Sequence, residues 1–229
     1  MANHGFFKGG NMEYILFDLD GTLMDFNMGE KKAFIDTIYS FTNKIPTDLE
    51  CKEFSIINER LFNEFAKGNM KRIEFQQARF KEITDYMNLK ADIEKFNEYY
   101  VKSLKYQADL YSDVLDILNY LKGKYKLFIA SNGMDSVQRK RLEIAGILDY
   151  FDGLYISEVI GHNKPDLEFF EYIFKDLNDY DKDKYVIIGD RYDTDIIGGI
   201  NAKINTILIS RDKKEKDSIQ SLEELKNIL

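Results

Sequence analysis

The chain has 229 residues, 44% of them hydrophobic and 31% charged, with a formal net charge of −8. This is enough apolar material for one sizeable core, or for a core with an insertion, and too much for a disordered chain. An acidic balance without a Lys/Arg block argues against a nucleic-acid partner, and no apolar run approaches the roughly 18 residues of a membrane span.

Residues 1–11 (MANHGFFKGGN) are rich in Gly and Asn, show no apolar period and are expected to form an unstructured leader. The apolar run Tyr14-Ile15-Leu16-Phe17 then predicts a buried strand that ends in Asp18-Leu19-Asp20-Gly21-Thr22. Side chains of an extended segment alternate faces, so Asp18 and Asp20 leave on the same side, and Gly21 lets the backbone turn sharply behind them. Two carboxylates so placed can divide nucleophilic attack and proton transfer between them.

From about 28 to 106 the apolar residues recur at helical spacing, as in Phe54, Ile57, Leu61, Phe62 and Phe65, which predicts an all-helical insertion. Thr47 with Glu50 fits a capping box, and Gly68-Asn69 a helix end. Phe75, Phe80, Phe96, Tyr99 and Tyr100 read as the core of this bundle. Arg72 and Arg79 read as part of an exposed helix face, with nucleotide contacts as the alternative. Cys51 is the single cysteine, so an intrachain disulfide and a Cys-based zinc site are excluded, and a cytoplasmic setting is expected.

After residue 107, short β-type runs alternate with helical segments, the pattern of an α/β fold with a parallel sheet. Strands are predicted at Lys126–Ala130, Leu154–Ile156, Tyr185–Ile188 and Thr206–Ile209, and helices at Asp113–Lys122, Asp135–Ala145, Asp166–Leu177, Thr194–Ala202 and Ser218–Leu229. With the first run this makes five strands, whose C-terminal ends share the edge at which such sheets bind ligands. Three of these ends carry polar groups. Ser131 precedes Asn132-Gly133 and offers a hydroxyl and backbone N–H groups to an anion. Lys164 lies just before Pro165. Asp190 and Asp195 follow the run Tyr185–Ile188, and carboxylates crowded near Asp18 either raise a pKa or recruit a cation, for which Mg²⁺ suits a hard-oxygen, phosphate-binding site.

Taken in order, Asp18-Leu19-Asp20-Gly21-Thr22, Ser131, Lys164 and Gly189-Asp190 with Asp195 resemble the four motifs of the haloacid dehalogenase-like hydrolase superfamily. The resemblance runs from Met12 to the C-terminus and implies a Rossmann-like core (residues 12–27 and 107–229) with an inserted helical cap of the C1 type (residues 28–106). Asn132-Gly133, Arg141-Leu142-Glu143, Asp149-Tyr150-Phe151-Asp152, Ile156-Ser157-Glu158 and the run from Asp195 to Ala202 are similar to its noncanonical pyrimidine 5'-nucleotidase branch, as, more loosely, are Asn58-Glu59-Arg60-Leu61 and Arg79-Phe80.

What this resemblance implies is a Mg²⁺-dependent phosphate monoester hydrolase. Asp18 would attack phosphorus, and Asp20 would act as acid and then base. Ser131, Asn132, Gly133 and Lys164 would hold the phosphoryl group. The metal would be held by Asp18, the Asp20 carbonyl and Asp190, with Asp195 in support. The substrate would be a small phosphorylated metabolite, foremost a pyrimidine nucleoside monophosphate, with a sugar-phosphate phosphatase, a phosphomutase or a non-catalytic binding protein as alternatives. Phe26 and Asn27 are the expected hinge. Lys203 stands where the family usually has glycine, so the last motif helix is expected to end differently.

Overall fold

The computed structural model describes residues 11–213 and 215–229, and the expected leader lies outside the described residues except for Asn11. The chain divides into two compact units, Phe26–Asp109 on one hand and the segment up to Asp25 with Leu110–Leu229 on the other. No helix among the described residues is long and apolar enough to cross a membrane.

The unit Phe26–Asp109 holds α1 (Phe26–Thr42), α2 (Asp48–Ala66), α3 (Arg72–Tyr86) and α4 (Ile93–Leu104). At the start of α2, Glu50 N donates to Thr47 Oγ1 at 3.2 Å and Thr47 N donates to Glu50 Oε2 at 2.7 Å, the reciprocal box that the sequence predicts. Its other end closes at Gly68-Asn69, where Asn69 N donates to Glu64 O at 2.9 Å. The three-to-four-residue period turns the rings inward: Phe34 stacks on Phe54 at 4.2 Å, and Phe80 meets Tyr100 edge-on at 5.3 Å. Such ring pairs add roughly 0.5–1.5 kcal/mol beyond the area they bury.

Arg79 departs from the expected exposed face. It is buried, with its guanidinium 4.4 Å from the Tyr100 ring centre and 5.0 Å from that of Phe75. Arg79 Nη2 donates to Asn97 Oδ1 at 2.8 Å and Nη1 to Asn58 Oδ1 at 3.3 Å. The Asn58 amide in turn donates to Glu30 Oε1 at 2.6 Å and so bridges a buried cation and a buried carboxyl, which burial pushes above the usual carboxyl range. Arg79→Ala would leave these groups without their cation, and removing one partner of a buried charged network costs about 3–5 kcal/mol. Urea unfolding should show a loss of that size; a midpoint equal to the parent's would mean that the network contributes nothing. Arg72 is half-buried, with its guanidinium 4.8 Å from the Phe65 ring centre.

The second unit is an α/β core. One parallel sheet has the order β3-β2-β1-β4-β5-β6, built from β1 (Tyr14–Phe17), β2 (Lys126–Ser131), β3 (Gly153–Ile156), β4 (Tyr185–Gly189), β5 (Asn205–Ile209) and β6 (Ser218–Ile219). Its helices are α5 (Val114–Leu121), α6 (Asp135–Ile144), α7 (Ser157–Ile160), α8 (Leu167–Asp176) and α9 (Ile197–Asn201). Every residue of β1 is buried, because both faces of the sheet are covered: Ile15 and Phe17 join one apolar cluster with Ile129 and Ile188, and Tyr14 and Leu16 the other with Phe169 and Phe170. Full burial of each such side chain is worth about 1.5–3 kcal/mol, which anchors β1 at the centre. Phe17 pairs with Ile129 on one side and Ile188 on the other, so the ends of β1, β2 and β4 lie side by side.

Two segments differ from the sequence expectation. The C-terminal stretch is not one helix from Ser218: Ser218–Ile219 pairs with Leu208–Ile209 as β6, and a short 3₁₀ turn spans Leu222–Asn227. Ser221 and Glu224 cap that turn, and buried Leu222 and Leu225, three apart, suit its tighter period. The helix expected over Thr194–Ala202 is a π turn at Tyr192–Ile196 followed by the short α9.

Lys203 also corrects an expectation. The chain leaves α9 as a glycine would, with Lys203 at φ 62° and Ile204 N donating to Gly199 O at 3.0 Å. A side chain in this left-handed region costs roughly 1–2 kcal/mol, offset in part when glycine's freedom in the unfolded chain is counted. Lys203 is exposed, so Lys203→Gly should raise stability by about 0.5–1 kcal/mol while Lys203→Ala should not. Equal melting temperatures for the two variants would contradict this.

Candidate active site

The backbone of Asp18 is still tied to the sheet, its N–H donating to Ile188 O at 2.9 Å, and the chain then turns away through Gly21 at φ 86°. A Cβ at position 21 would lie 2.2 Å from Asp190 Oδ2, so only glycine lets the turn pass beside that carboxylate. Thr22 Oγ1 donates to Asp190 Oδ1 at 3.3 Å and joins the turn to the end of β4.

Lys164 is the centre of the arrangement. Its ammonium is buried, 2.7 Å from Asp18 Oδ1, 2.6 Å from Asp195 Oδ1 and 2.6 Å from Ala130 O. Burial works against its charge, but Asp18 and Asp195 together outweigh it and hold Lys164 above the usual lysine range. The loop that carries it is held by the Asn132 side chain, which accepts from Lys164 N and donates to Lys164 O, both at 2.8 Å. The Asn132 amide thus serves the lysine loop. The Gly133 N–H donates to Ser131 Oγ at 3.1 Å.

The π turn explains how Asp195 reaches Lys164. Arg191 N donates to Asp195 Oδ2 at 3.1 Å, so the wider turn folds this fully buried carboxylate back under the end of β4 instead of leaving it as a solvated helix cap. Asp18, Asp190 and Asp195 each bring an oxygen to within 4.8 Å of the others. Burial, followed by the charges of Asp195 and Asp190, raises Asp18 well above its ordinary value, though Lys164 opposes this. Burial and the charge of Asp195 push Asp190 up to about 7.

Fully ionised, these three carboxylates would outnumber the one ammonium by two charges, and that excess is part of what holds Asp18 and Asp190 high. A hard divalent cation is the natural complement of such an oxygen set, so the residues fit Mg²⁺. Asp20 stands apart from this cluster. Its carboxyl takes an ion pair from buried Arg141 and a 2.8 Å hydrogen bond from Gln138 Nε2. Neither α6 residue was singled out as a site residue from the sequence. The available signal was their place on the same helix face as buried Val137 and Leu142, where polar side chains need partners.

Known proteins resemble this chain over most of its length. Pyrimidine 5'-nucleotidase YjjG of Escherichia coli is 28% identical over 226 residues, 95% of this chain and 97% of that protein. Pyrimidine 5'-nucleotidase PynA of Streptococcus pneumoniae is 30% identical over 198 residues, 85% and 82% of the respective chains. The crystal structure of the HAD-hydrolase YfnB of Bacillus subtilis, bound to magnesium, matches with a TM-score of 0.90 at 29% identity over 96% of this chain and 99% of that one. The model of the family described as haloacid dehalogenase-like hydrolase runs from residue 15 to residue 209, from within β1 to the end of β5 and through the whole carboxylate–lysine cluster, and this chain belongs to that family.

Proposed function

We propose that the chain is a Mg²⁺-dependent phosphatase of pyrimidine nucleoside 5'-monophosphates, working through an aspartyl-phosphate on Asp18. The observation that carries this reading is the division of labour at the sheet edge. Asp18 and Asp195 pair with Lys164 and Asp190 lies close to both carboxylates, while Asp20 is held separately beside Ser131 by Gln138. A nucleophilic carboxyl paired with an ammonium and a second carboxyl with its own partners are what a two-step phosphoryl transfer needs.

In this reading Asp18 attacks phosphorus, and Asp20 gives a proton to the leaving oxygen and then takes one from the attacking water. Lys164 and the Ser131 hydroxyl hold phosphoryl oxygens where charge gathers in the transition state, with Asn132 and Gly133 bordering that position. Asp18, Asp190 and the Asp20 carbonyl would hold Mg²⁺, with Asp195 in support; when bound, the ion supplies charge neutralisation to the phosphoryl group. The helical unit Phe26–Asp109 is the cap in this reading, with Phe26 and Asn27 as its hinge. A small phosphorylated metabolite in the cytoplasm is its natural substrate.

The base preference rests on the names of the Escherichia coli and Streptococcus pneumoniae relatives, each similar over most of its length. Phosphate release from a panel of nucleoside monophosphates and sugar phosphates, with Mg²⁺ and with EDTA, tests the reading. Preference for pyrimidine monophosphates that disappears in EDTA is expected. Release confined to sugar phosphates would overturn the substrate and keep the mechanism. An isomerised sugar phosphate without free phosphate would make the protein a mutase.

A further inference from the structure

Gln138 and Arg141 lie one turn apart on α6 and are each only 1% exposed. A guanidinium and an amide so deeply buried are costly unless their hydrogen bonds are made, and here the bonds run to the reacting groups. Arg141 Nη1 pairs with Asp20 Oδ1 and donates to Gln138 Oε1 at 3.0 Å. Gln138 Nε2 donates to Asp20 Oδ2 at 2.8 Å and to Ser131 Oγ at 2.9 Å.

An amide has one accepting and one donating end, and Arg141 can meet only the oxygen. Arg141 therefore decides that the nitrogen of Gln138 faces Asp20 and Ser131; a flipped amide would aim its carbonyl at a carboxylate. Ser131 Oγ accepts from both Gln138 Nε2 and Gly133 N, so its two lone pairs are engaged and its own O–H must be donated elsewhere. Glycine at 133 is part of the same construction, because a Cβ there would lie 2.3 Å from Gln138 Nε2.

We propose that Gln138 and Arg141 are positioning residues for phosphoryl transfer: together they fix the plane of the Asp20 carboxyl, and through Gln138 they turn the Ser131 hydroxyl into a donor for a phosphoryl oxygen. This rests on the phosphatase reading above. In the first step the bond from phosphorus to the leaving oxygen breaks as the Asp18 oxygen–phosphorus bond forms, and the proton of Asp20 passes to the leaving oxygen. In the second, water oxygen bonds to phosphorus, the aspartyl bond breaks and a water proton returns to Asp20. An alkoxide such as the 5'-oxygen of a nucleoside needs the proton in order to leave, whereas 4-nitrophenolate does not.

The test is kcat/KM of the full chain for a pyrimidine monophosphate and for 4-nitrophenyl phosphate, which reports the first transfer alone, in Gln138→Leu, Arg141→Met, Arg141→Lys, Gly133→Ala and Asp20→Asn. Gln138→Leu and Arg141→Met should lose about 10²-fold on the nucleotide, the scale of general acid catalysis, and less than about tenfold on the nitrophenyl ester, because Ser131 Oγ keeps the Gly133 N–H and loses only its second anchor. They should also show a burst of nitrophenolate, because the second step still needs Asp20. Arg141→Lys should recover part of the nucleotide rate, and Gly133→Ala, which displaces Gln138 from outside α6, should share the split between esters. Where Arg141→Met fails to fold, Gln138→Leu and Gly133→Ala decide the matter. Equal losses on both esters, or none, overturn the proposal. Equal losses in Asp20→Asn would instead remove the acid role of Asp20, and a parent protein that cleaves neither ester would remove the phosphatase reading; either result takes the proposal with it.

Discussion

On the proposed mechanism, Asp18→Asn is expected to lower phosphate release by roughly 10⁴-fold or more while the protein stays folded, because the amide keeps the shape of the carboxylate but could not form the covalent phosphoryl-enzyme. The stability expectation has its own sign. Burial first, then Asp195 and Asp190, disfavours the charged form of Asp18 in the folded state, and Lys164 favours it. A neutral amide relieves that penalty, and Lys164 keeps Asp195 Oδ1 and Ala130 O as partners. In EDTA the melting temperature of the variant should therefore equal or exceed the parent's. Acid quenching during turnover should trap a phosphorylated protein from the parent and none from the variant. Turnover at the parent's rate would remove Asp18 as nucleophile, and a collapsed melting temperature would reduce the lost activity to unfolding.

How far the residues announce this arrangement depends on whether each signal is local. The run Tyr14–Phe17 is continuous and apolar because β1 is covered on both faces, and its end is marked by carboxylates that no buried strand tolerates in its middle. Both features can be read within nine residues. Ser131 and Asp190 are legible for the same reason, each standing at or just past the end of an apolar run. Lys164 has no period to announce it, and only its place before Pro165 and its resemblance to a motif single it out. Gln138 and Arg141 escape notice because α6 hides two polar side chains on its inner face between Val137 and Leu142, and only the fold brings Asp20 opposite them. Arg79 misleads in the same way: the Tyr100 ring and the Asn97 and Asn58 amides that hold it come from α4 and α2, and a reading of α3 alone shows none of them. The two residues of β6 are too few to alternate visibly, so the capped turn behind them reads as the end of a helix.

Lys164→Met should damage both stability and catalysis, and pH should separate the two effects. The substitution keeps most of the buried stem but removes the cation that, among the described residues, pairs with both Asp18 and Asp195, at 2.7 and 2.6 Å. Breaking buried pairs from one side costs about 3–5 kcal/mol, which for a chain of this length lowers the melting temperature by roughly 10 °C. On the proposed mechanism, loss of the positive charge beside the phosphoryl oxygens should lower kcat by about 10²–10³-fold. In EDTA the stability deficit should depend on pH through the carboxyls that are held high. Asp190, with a folded value of about 7 against an ordinary 3.8, binds a proton in the folded state that the unfolded chain has already lost, so stability falls as pH rises between those values. Asp18 is shifted in the same direction, and without the ammonium its charged form is disfavoured further. The gap between variant and parent should therefore be widest above pH 7 and narrow towards pH 5, where protons replace the missing cation. A gap that is constant across this range would mean that Lys164 stabilises the fold by packing its stem, and that its charge is not what holds the carboxylates together.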